Sequence, residues 1–177
     1  MTRAPATPIL LRPARAVEVE TIRVLERASA QRFVGLMDAI AADEPTPAAV
    51  LEVRLAQGGL LVAEQDGAIA GFVIFRPLED GLYVEQLDVL PAFAGRRIGA
   101  ALLDAVGQQA GAKGLARLVL STFRDVPWNA PYYARLGFVE VEALTPGLAR
   151  IRAEHVARGL DEATRMFMAR SVPRDPA

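Results

Sequence analysis

The sequence predicts a mixed α/β fold, a central sheet flanked by helices, and two stretches carry that expectation. Two apolar runs meet at Asp66-Gly67, the dipeptide of a tight hairpin turn, which makes their strands antiparallel. From Leu82 to Thr122 the pattern reads strand, helix, strand, the connection that parallel neighbours require. A sheet holding both kinds of neighbour is mixed. The 177 residues allow one domain at roughly 150 residues each. A chain of this size buries roughly 70% of its unfolded surface, so it needs neither disulfide nor metal to fold.

Taken in order, Ile9 to Arg12 is a short apolar run closed by Pro13, hence a strand. Val17, Thr21, Val24, Leu25 and Ala28 recur at helical spacing. Thr46-Pro47 reads as an N-cap and first-turn proline, and Gly58-Gly59 stops the helix they open. Between these helices the stretch from Phe33 to Asp43 has no clear period. Leu60–Glu64 and Ala68–Phe75 make the hairpin, and Leu82–Val89 is a third strand after the Glu79-Asp80-Gly81 turn. Ile98, Ala101, Leu102, Ala105, Val106 and Gln109 form the strongest helical stripe, ended by Gly111 and Gly114. A buried strand from Leu115 to Thr122 follows, then a short helix from Asn129 to Leu136 with Asn129 as N-cap and Gly137 as stop. A strand at Phe138–Val141, a helix near Leu148–Arg158 and a strand at Arg165–Arg170 complete the pattern, with no repeat or linker to divide it.

Composition removes most catalytic classes. There is no cysteine and one histidine, His155, which excludes disulfide scaffolds, Cys-His zinc sites, thiol nucleophiles and almost every His-based triad. Twenty basic residues against 21 acidic ones leave a net charge of −1, so no global field draws the chain to nucleic acid or an anionic membrane. Any anion site is local. No stretch approaches the roughly 18 apolar residues of a membrane span, and Met1 to Pro8 lacks the apolar core of a secretory signal. A cytoplasmic location is the expectation. Nineteen of the basic residues are Arg, which fits a GC-rich genome and carries no functional weight.

The segment from Tyr83 to Gly111 is more specific. A loop containing Gly95 and Gly99 enters a strong helix, where free backbone N–H groups and the positive end of the helix dipole suit a phosphate or pyrophosphate. Arg96 and Arg97 add two guanidiniums. For two glycines and two arginines alone, a solvated turn explains the pattern equally well.

Two motifs change that balance. Val89-Leu-Pro followed by Ala94-Gly-Arg-Arg-Ile-Gly99, and downstream Asn129-Ala-Pro-Tyr-Tyr-Ala-Arg-Leu-Gly-Phe138, resemble the Gcn5-related N-acetyltransferase (GNAT) family. There a strand ends in Val-x-Pro, an Arg/Gln-Gly-x-Gly-x-Gly loop binds the acetyl-CoA pyrophosphate, and a later helix ends in Tyr-x-x-x-Gly-Phe. The resemblance implies a mostly antiparallel mixed sheet, one N-acetyltransferase domain over 1–177 with its core at about 9–170, acetyl-CoA as co-substrate, no metal, and an amine acceptor, most simply a small molecule. Many family members dimerise, so a homodimer is compatible.

The resemblance also places residues. Leu87 and Asp88 would line the pantetheine, Val89 would offer its backbone N–H to the oxyanion, and Ala94, Gly95, Arg96, Arg97, Ile98, Gly99 and Ala100 would form the pyrophosphate loop. Ala94 replaces the usual Arg or Gln. Arg97 replaces the second glycine, in what is expected to be a helical first-turn conformation open to Arg, where its guanidinium would replace part of the lost binding. Asn129 is placed as a CoA contact and as N-cap; the family's Asn stands at the position held here by Val126.

Acetyl transfer to an amine needs a neutral amine, a stabilised oxyanion and a proton for the leaving thiolate. Without cysteine, direct attack is the natural route. Tyr133 matches the family's general acid, and a phenol near pKa 10 is close enough to a thiol near 8.5 for that transfer; otherwise it packs on the sheet. Glu85, on the face of Tyr83, matches a carboxylate that deprotonates the amine, often through water; otherwise it is a half-exposed strand residue. Trp128 reads as a packing anchor rather than, with Phe33, a pocket wall, and His155 as solvated. Two alternatives stand beside catalysis: a non-catalytic CoA-binding or sensor module, and a nucleotide binder holding a different phosphate. The acceptor is not legible, because the stretch from Ala28 to Asp43 that usually shapes its pocket is the least patterned.

Overall fold

In a computed structural model, which describes residues 8–173, the regular elements are β1 (Leu10–Pro13), α1 (Val19–Ala30), α2 (Asp38–Ala41), α3 (Ala48–Ala56), β2 (Leu60–Gln65), β3 (Ala68–Leu78) and β4 (Gly81–Val89). They continue as α4 (Ile98–Ala112), β5 (Arg117–Phe123), α5 (Ala130–Arg135), β6 (Val139–Glu140), α6 (Pro146–Ala157) and β7 (Arg165–Ser171). The seven strands form one sheet in the order β1-β2-β3-β4-β5-β7-β6. The β4–β5 pair is parallel, and the pairs β1–β2, β2–β3, β5–β7 and β6–β7 are antiparallel. This is the mixed, mostly antiparallel sheet flanked by helices.

The chain divides into two compact units, one made of the chain up to Phe75 with Gln86–Ala105, the other of Arg76–Glu85 with the chain from Val106 onward. In the first, Val19, Ile22 and Leu25 of α1 and Leu51 of α3 pack on Leu60, Val62, Phe72 and Ile74. The alternate residues of β2 and β3 meet helical residues spaced by three, as the two periodicities dictate. Asp66 and Gly67 both take positive φ, 55° and 76°, the type I′ geometry whose twist matches the strands it joins. Gly71 is required where β3 passes β4, since a Cβ there would lie 2.7 Å from the Asp88 carbonyl oxygen. Arg12 braces the edge by donating to Glu18 at 2.8 and 2.9 Å and to Glu64 at 2.8 Å. The Arg12 bonds, helped by Arg15 and opposed by burial, hold the Glu18 carboxyl down at about 2.

In the second unit Tyr83, Val119, Leu148, Ile151 and Phe167 form the core. The β4–β5 ladder pairs Gly81–Val84 with Arg117–Leu120. Glu79, in the turn before β4, accepts from the Gly147 N–H at 2.7 Å, and Thr145 accepts from Leu148 at 3.3 Å, so two side chains satisfy the first turn of α6.

Several sequence expectations are corrected. Thr46 does not cap α3: Pro47 holds the N-cap position, and the Thr46 hydroxyl and N–H both bond to Glu26 at 3.0 Å. The stretch without a period opens at the end of a 3-10 turn, Gln31–Phe33, and contains the four-residue α2, with Phe33 buried. The strand expected at Phe138–Val141 shrinks to two residues, because Phe138 turns into the core at 2% exposure. Trp128 is 38% exposed, and Val126 beside it is the buried anchor. His155 is not solvated: it is 8% exposed, with its Nδ1 2.7 Å from Glu162 and its Nε2 3.5 Å from the Tyr83 hydroxyl. Burial, ahead of the Arg165 charge, lowers its pKa below the ordinary histidine value, which favours the neutral ring.

Glu26 supplies a test. Burial, with smaller contributions from Asp88 and Asp43, pushes its carboxyl up to about 7 against the opposing Thr46 bonds. A folded pKa above the unfolded one gives stability that is complete below the ordinary carboxylate range and is lost as pH rises through about 7. Glu26→Gln removes this titration, so its Tm relative to wild type should climb between about pH 5 and about pH 8. A Tm difference that stays constant over that range contradicts the assignment.

Candidate functional site

In the first unit the candidate residues run continuously from β4 into α4. The Leu90 N–H bonds to the Ala70 carbonyl at 2.9 Å. Successive N–H groups along a strand alternate in direction, so that of Val89 faces away from β3. Leu87 and Val89 are half-buried. Asp88 is buried and its carboxylate accepts from Ser29 at 2.5 Å, Arg32 at 2.8 Å and Gln86 at 2.5 Å. Burial raises its pKa despite these donors. With its side chain so engaged, Asp88 has its backbone to offer a ligand.

After a 3-10 turn at Pro91–Phe93, the chain enters α4 through Ala94, Gly95, Arg96 and Arg97, all exposed. Gly95 has φ 76°. Arg97 has φ 61° and is not in the helical first-turn conformation expected of it. It occupies the left-handed region in which glycine is at ease, and a residue with a Cβ is strained there by about 1–2 kcal/mol. The conformation is retained because it turns the chain directly into a helix: the first α4 bond runs from Ala101 N to Arg97 O at 3.0 Å. The N–H groups of Ile98, Gly99 and Ala100 therefore precede the helical ladder, at the positive end of a 15-residue helix. That is an anion-binding arrangement of the backbone.

The two arginines of the loop part company. Arg96 lies 4.8 Å over the Phe93 ring, donates to Gln65 at 3.1 Å and sits 3.5 Å from Asp66, so its charge is tied to the β2–β3 turn. Arg97 has no ion-pair partner among the described residues.

In the second unit, Asn129 occupies the N-cap position of α5 but its side chain does not cap. Its Nδ2 donates to Thr122 Oγ1 at 3.0 Å, which ties the start of α5 to β5. Tyr133 is half-buried, its ring edge-on to Tyr132 at 5.3 Å and to Phe138 at 5.7 Å. The Tyr-x-x-x-Gly-Phe motif has a physical explanation in the helix end. Phe138 N bonds to Tyr133 O and Gly137 N to Ala134 O, both at 3.1 Å, and Gly137 has φ 86°. This is a Schellman motif, and the Tyr133–Phe138 ring contact is the apolar pair that accompanies it. Glu85, also half-buried, has an oxygen 2.9 Å from Arg76 Nε. The sequence reading missed Arg76, although counting back from the Glu79-Asp80 turn sets it opposite Tyr83 and diagonal to Glu85. It also missed Ser29 and Arg32, which reach Asp88 from 56 or more positions away. Among the described residues no group of three or more acidic or histidine side chains is placed to hold a metal, and no helix is long and apolar enough to cross a membrane.

A family model described as "Acetyltransferase (GNAT) family" matches residues 23–138. Among solved structures, the chain is similar to the PaiA N-acetyltransferase of Thermoplasma acidophilum in complex with coenzyme A, at TM-score 0.70 and 16% identity over 93% of this chain and 99% of that one. It is similar to N-acetylglutamate synthase from Neisseria gonorrhoeae, complexed with coenzyme A and N-acetyl-glutamate, at TM-score 0.73 and 19% identity over 94% of this chain and 36% of that one. It is also similar to the ribosomal-protein-S18-alanine N-acetyltransferase of Escherichia coli, at TM-score 0.64 and 16% identity over 96% and 97%. At these identities the structural likeness is one of fold.

The left-handed residue before α4 gives a prediction. Arg97→Gly removes the Cβ strain at the expense of a freer unfolded chain, and should stabilise the protein by about 1 kcal/mol in thermal or urea unfolding. A variant less stable than wild type would mean that the Arg97 side chain holds the loop.

Proposed function

Because the chain belongs to the GNAT acetyltransferase family, we propose that it transfers the acetyl group of acetyl-CoA directly to the primary amine of a small molecule. The observation that carries this reading is the start of α4, where three N–H groups outside the helical ladder follow a loop bent by Gly95 and Arg97. An acyl-CoA brings a pyrophosphate that such a helix end accepts. Gly95, Ile98, Gly99 and Ala100 bind it through the backbone, the Arg97 guanidinium adds charge at the exposed rim, and Ala94 contributes its main chain alone. Arg96 shapes the loop from the β2–β3 turn. The pantetheine runs along Leu87 and the Asp88 backbone, and Asn129, through its bond to Thr122, sets where α5 begins.

The amine nitrogen attacks the thioester carbonyl carbon as Glu85 takes its proton. A C–N bond forms, and the carbonyl oxygen accepts from the Val89 N–H. The C–S bond then breaks, and Tyr133 gives its phenolic proton to the thiolate, to be reprotonated from solvent. No cysteine is available for a covalent acyl-enzyme. We read the chain as one acetyltransferase domain with its core at about 9–170, acting in the cytoplasm.

At 100 times its dissociation constant acetyl-CoA adds about 2.7 kcal/mol, a rise in Tm of about 5–10 °C. With an acceptor found by following free CoA over an amine panel, Tyr133→Phe should lower kcat about 10²-fold while leaving that Tm shift in place. No shift at millimolar acetyl-CoA overturns CoA binding. A shift without CoA release from any amine leaves a CoA-binding module in place of an enzyme.

A further inference from the structure

Arg76, near the end of β3, is held at three points. Its Nη2 donates to Glu154 Oε2 of α6 at 2.9 Å, its guanidinium carbon lies 5.7 Å over the Tyr83 ring, and its Nε stands 2.9 Å from Glu85 Oε1. We propose that Arg76 is a positioning residue for amine deprotonation, fixing the Glu85 carboxylate by location and charge; this rests on the reading of Glu85 as the base.

The platform beneath Arg76 is built from buried groups. Tyr83 is buried in the second core, and its hydroxyl stands 3.5 Å from His155 Nε2. The other ring nitrogen of His155 contacts Glu162 at 2.7 Å. Glu162 lies 3.7 Å from Arg165, which donates to Ser121 at 3.1 Å and stacks 4.7 Å over Phe123. Among the described residues, Glu154 of α6 and Tyr83 of β4 thus contact Arg76 directly, and His155, Glu162 and Arg165 follow in turn behind Tyr83. The single histidine and one of the three tyrosines of the chain, neither of which the transfer reaction uses, acquire a role as the support of this clamp.

The ion pair also differs from those that brace the fold. Arg12 makes directed hydrogen bonds to Glu18 through both terminal nitrogens. The Arg76 Nε is buried with a Glu85 oxygen at 2.9 Å, while the far end of the same guanidinium is anchored on Glu154 and its plane rests on the Tyr83 ring, so the position of the carboxylate is set by a group fixed elsewhere.

The test is kcat and KM for wild type, Arg76→Gln, Arg76→Lys and Glu85→Gln with the best amine from the panel, with Tm measured for each with and without acetyl-CoA. Arg76→Gln should lower kcat about tenfold with KM for acetyl-CoA and the acetyl-CoA shift in Tm retained. Arg76→Lys keeps the charge but not the planar contact with Tyr83, so it should give an intermediate kcat. If Glu85→Gln is inactive while folded Arg76→Gln shows the wild-type kcat, Arg76 has no positioning role and the reading of Glu85 survives. If Glu85→Gln retains the wild-type rate, the base is elsewhere and the proposal falls with it. Should Arg76→Gln not fold, Arg76→Lys decides: a lowered kcat with KM for acetyl-CoA unchanged supports positioning, and a wild-type kcat overturns it.

Discussion

The N–H groups of Ile98, Gly99 and Ala100 stand outside the hydrogen-bond ladder of α4, and the route by which the chain reaches them conditions the rest of the first unit. β4 must end in extended backbone, turn through Pro91–Phe93, and enter a helix at once, which places Gly95 and Arg97 in left-handed conformations. The strain at Arg97 is of the order of 1–2 kcal/mol. It is borne because the flanking elements are over-determined. Ile98 is buried at the helix start, Leu90 is bonded to Ala70, and β3 approaches β4 so closely that Gly71 has no room for a Cβ.

Charge follows a similar economy. The net charge is −1, yet the chain is rich in ions that cancel locally. Exposed pairs such as Arg124–Glu140 contribute little, because water screens them and two side chains must be ordered. Pairs with buried members do more: Glu18 ties β1 to the turn before α1, and Asp88 draws Ser29 and Arg32 of the first helix segment onto β4. Arg96 is bound to its neighbours and Arg97 has no ion-pair partner among the described residues, so of two adjacent guanidiniums one shapes the loop and the other stands exposed.

The expected fold, with its hairpin, crossover and terminal strands, was legible because its signals are local. Asp66-Gly67 specifies its turn through positive φ, and the α4 stripe is a matter of spacing. The end of the helix that carries Tyr133 was legible for a related reason, since Gly137 and Phe138 close it within five residues. Readings failed where a side chain could choose between a near and a distant partner. Thr46 serves Glu26 in place of its own helix, and Asn129 serves Thr122. His155, flanked in sequence by charged residues, is enclosed by Tyr83, Glu162 and Phe167.

The sequence by itself determined the element order, the two motifs and the shortage of catalytic side chains, because periodicity, turn chemistry and composition are properties of neighbouring residues. Only the tertiary structure decided that Arg97 is left-handed, that Asp88 is buried, and that Glu85 is paired with Arg76. Each of those depends on what packing brings near: a helix start fixed by the core around it, an α1 residue 59 positions from Asp88, and a strand register that sets Arg76 beside Tyr83 and Glu85.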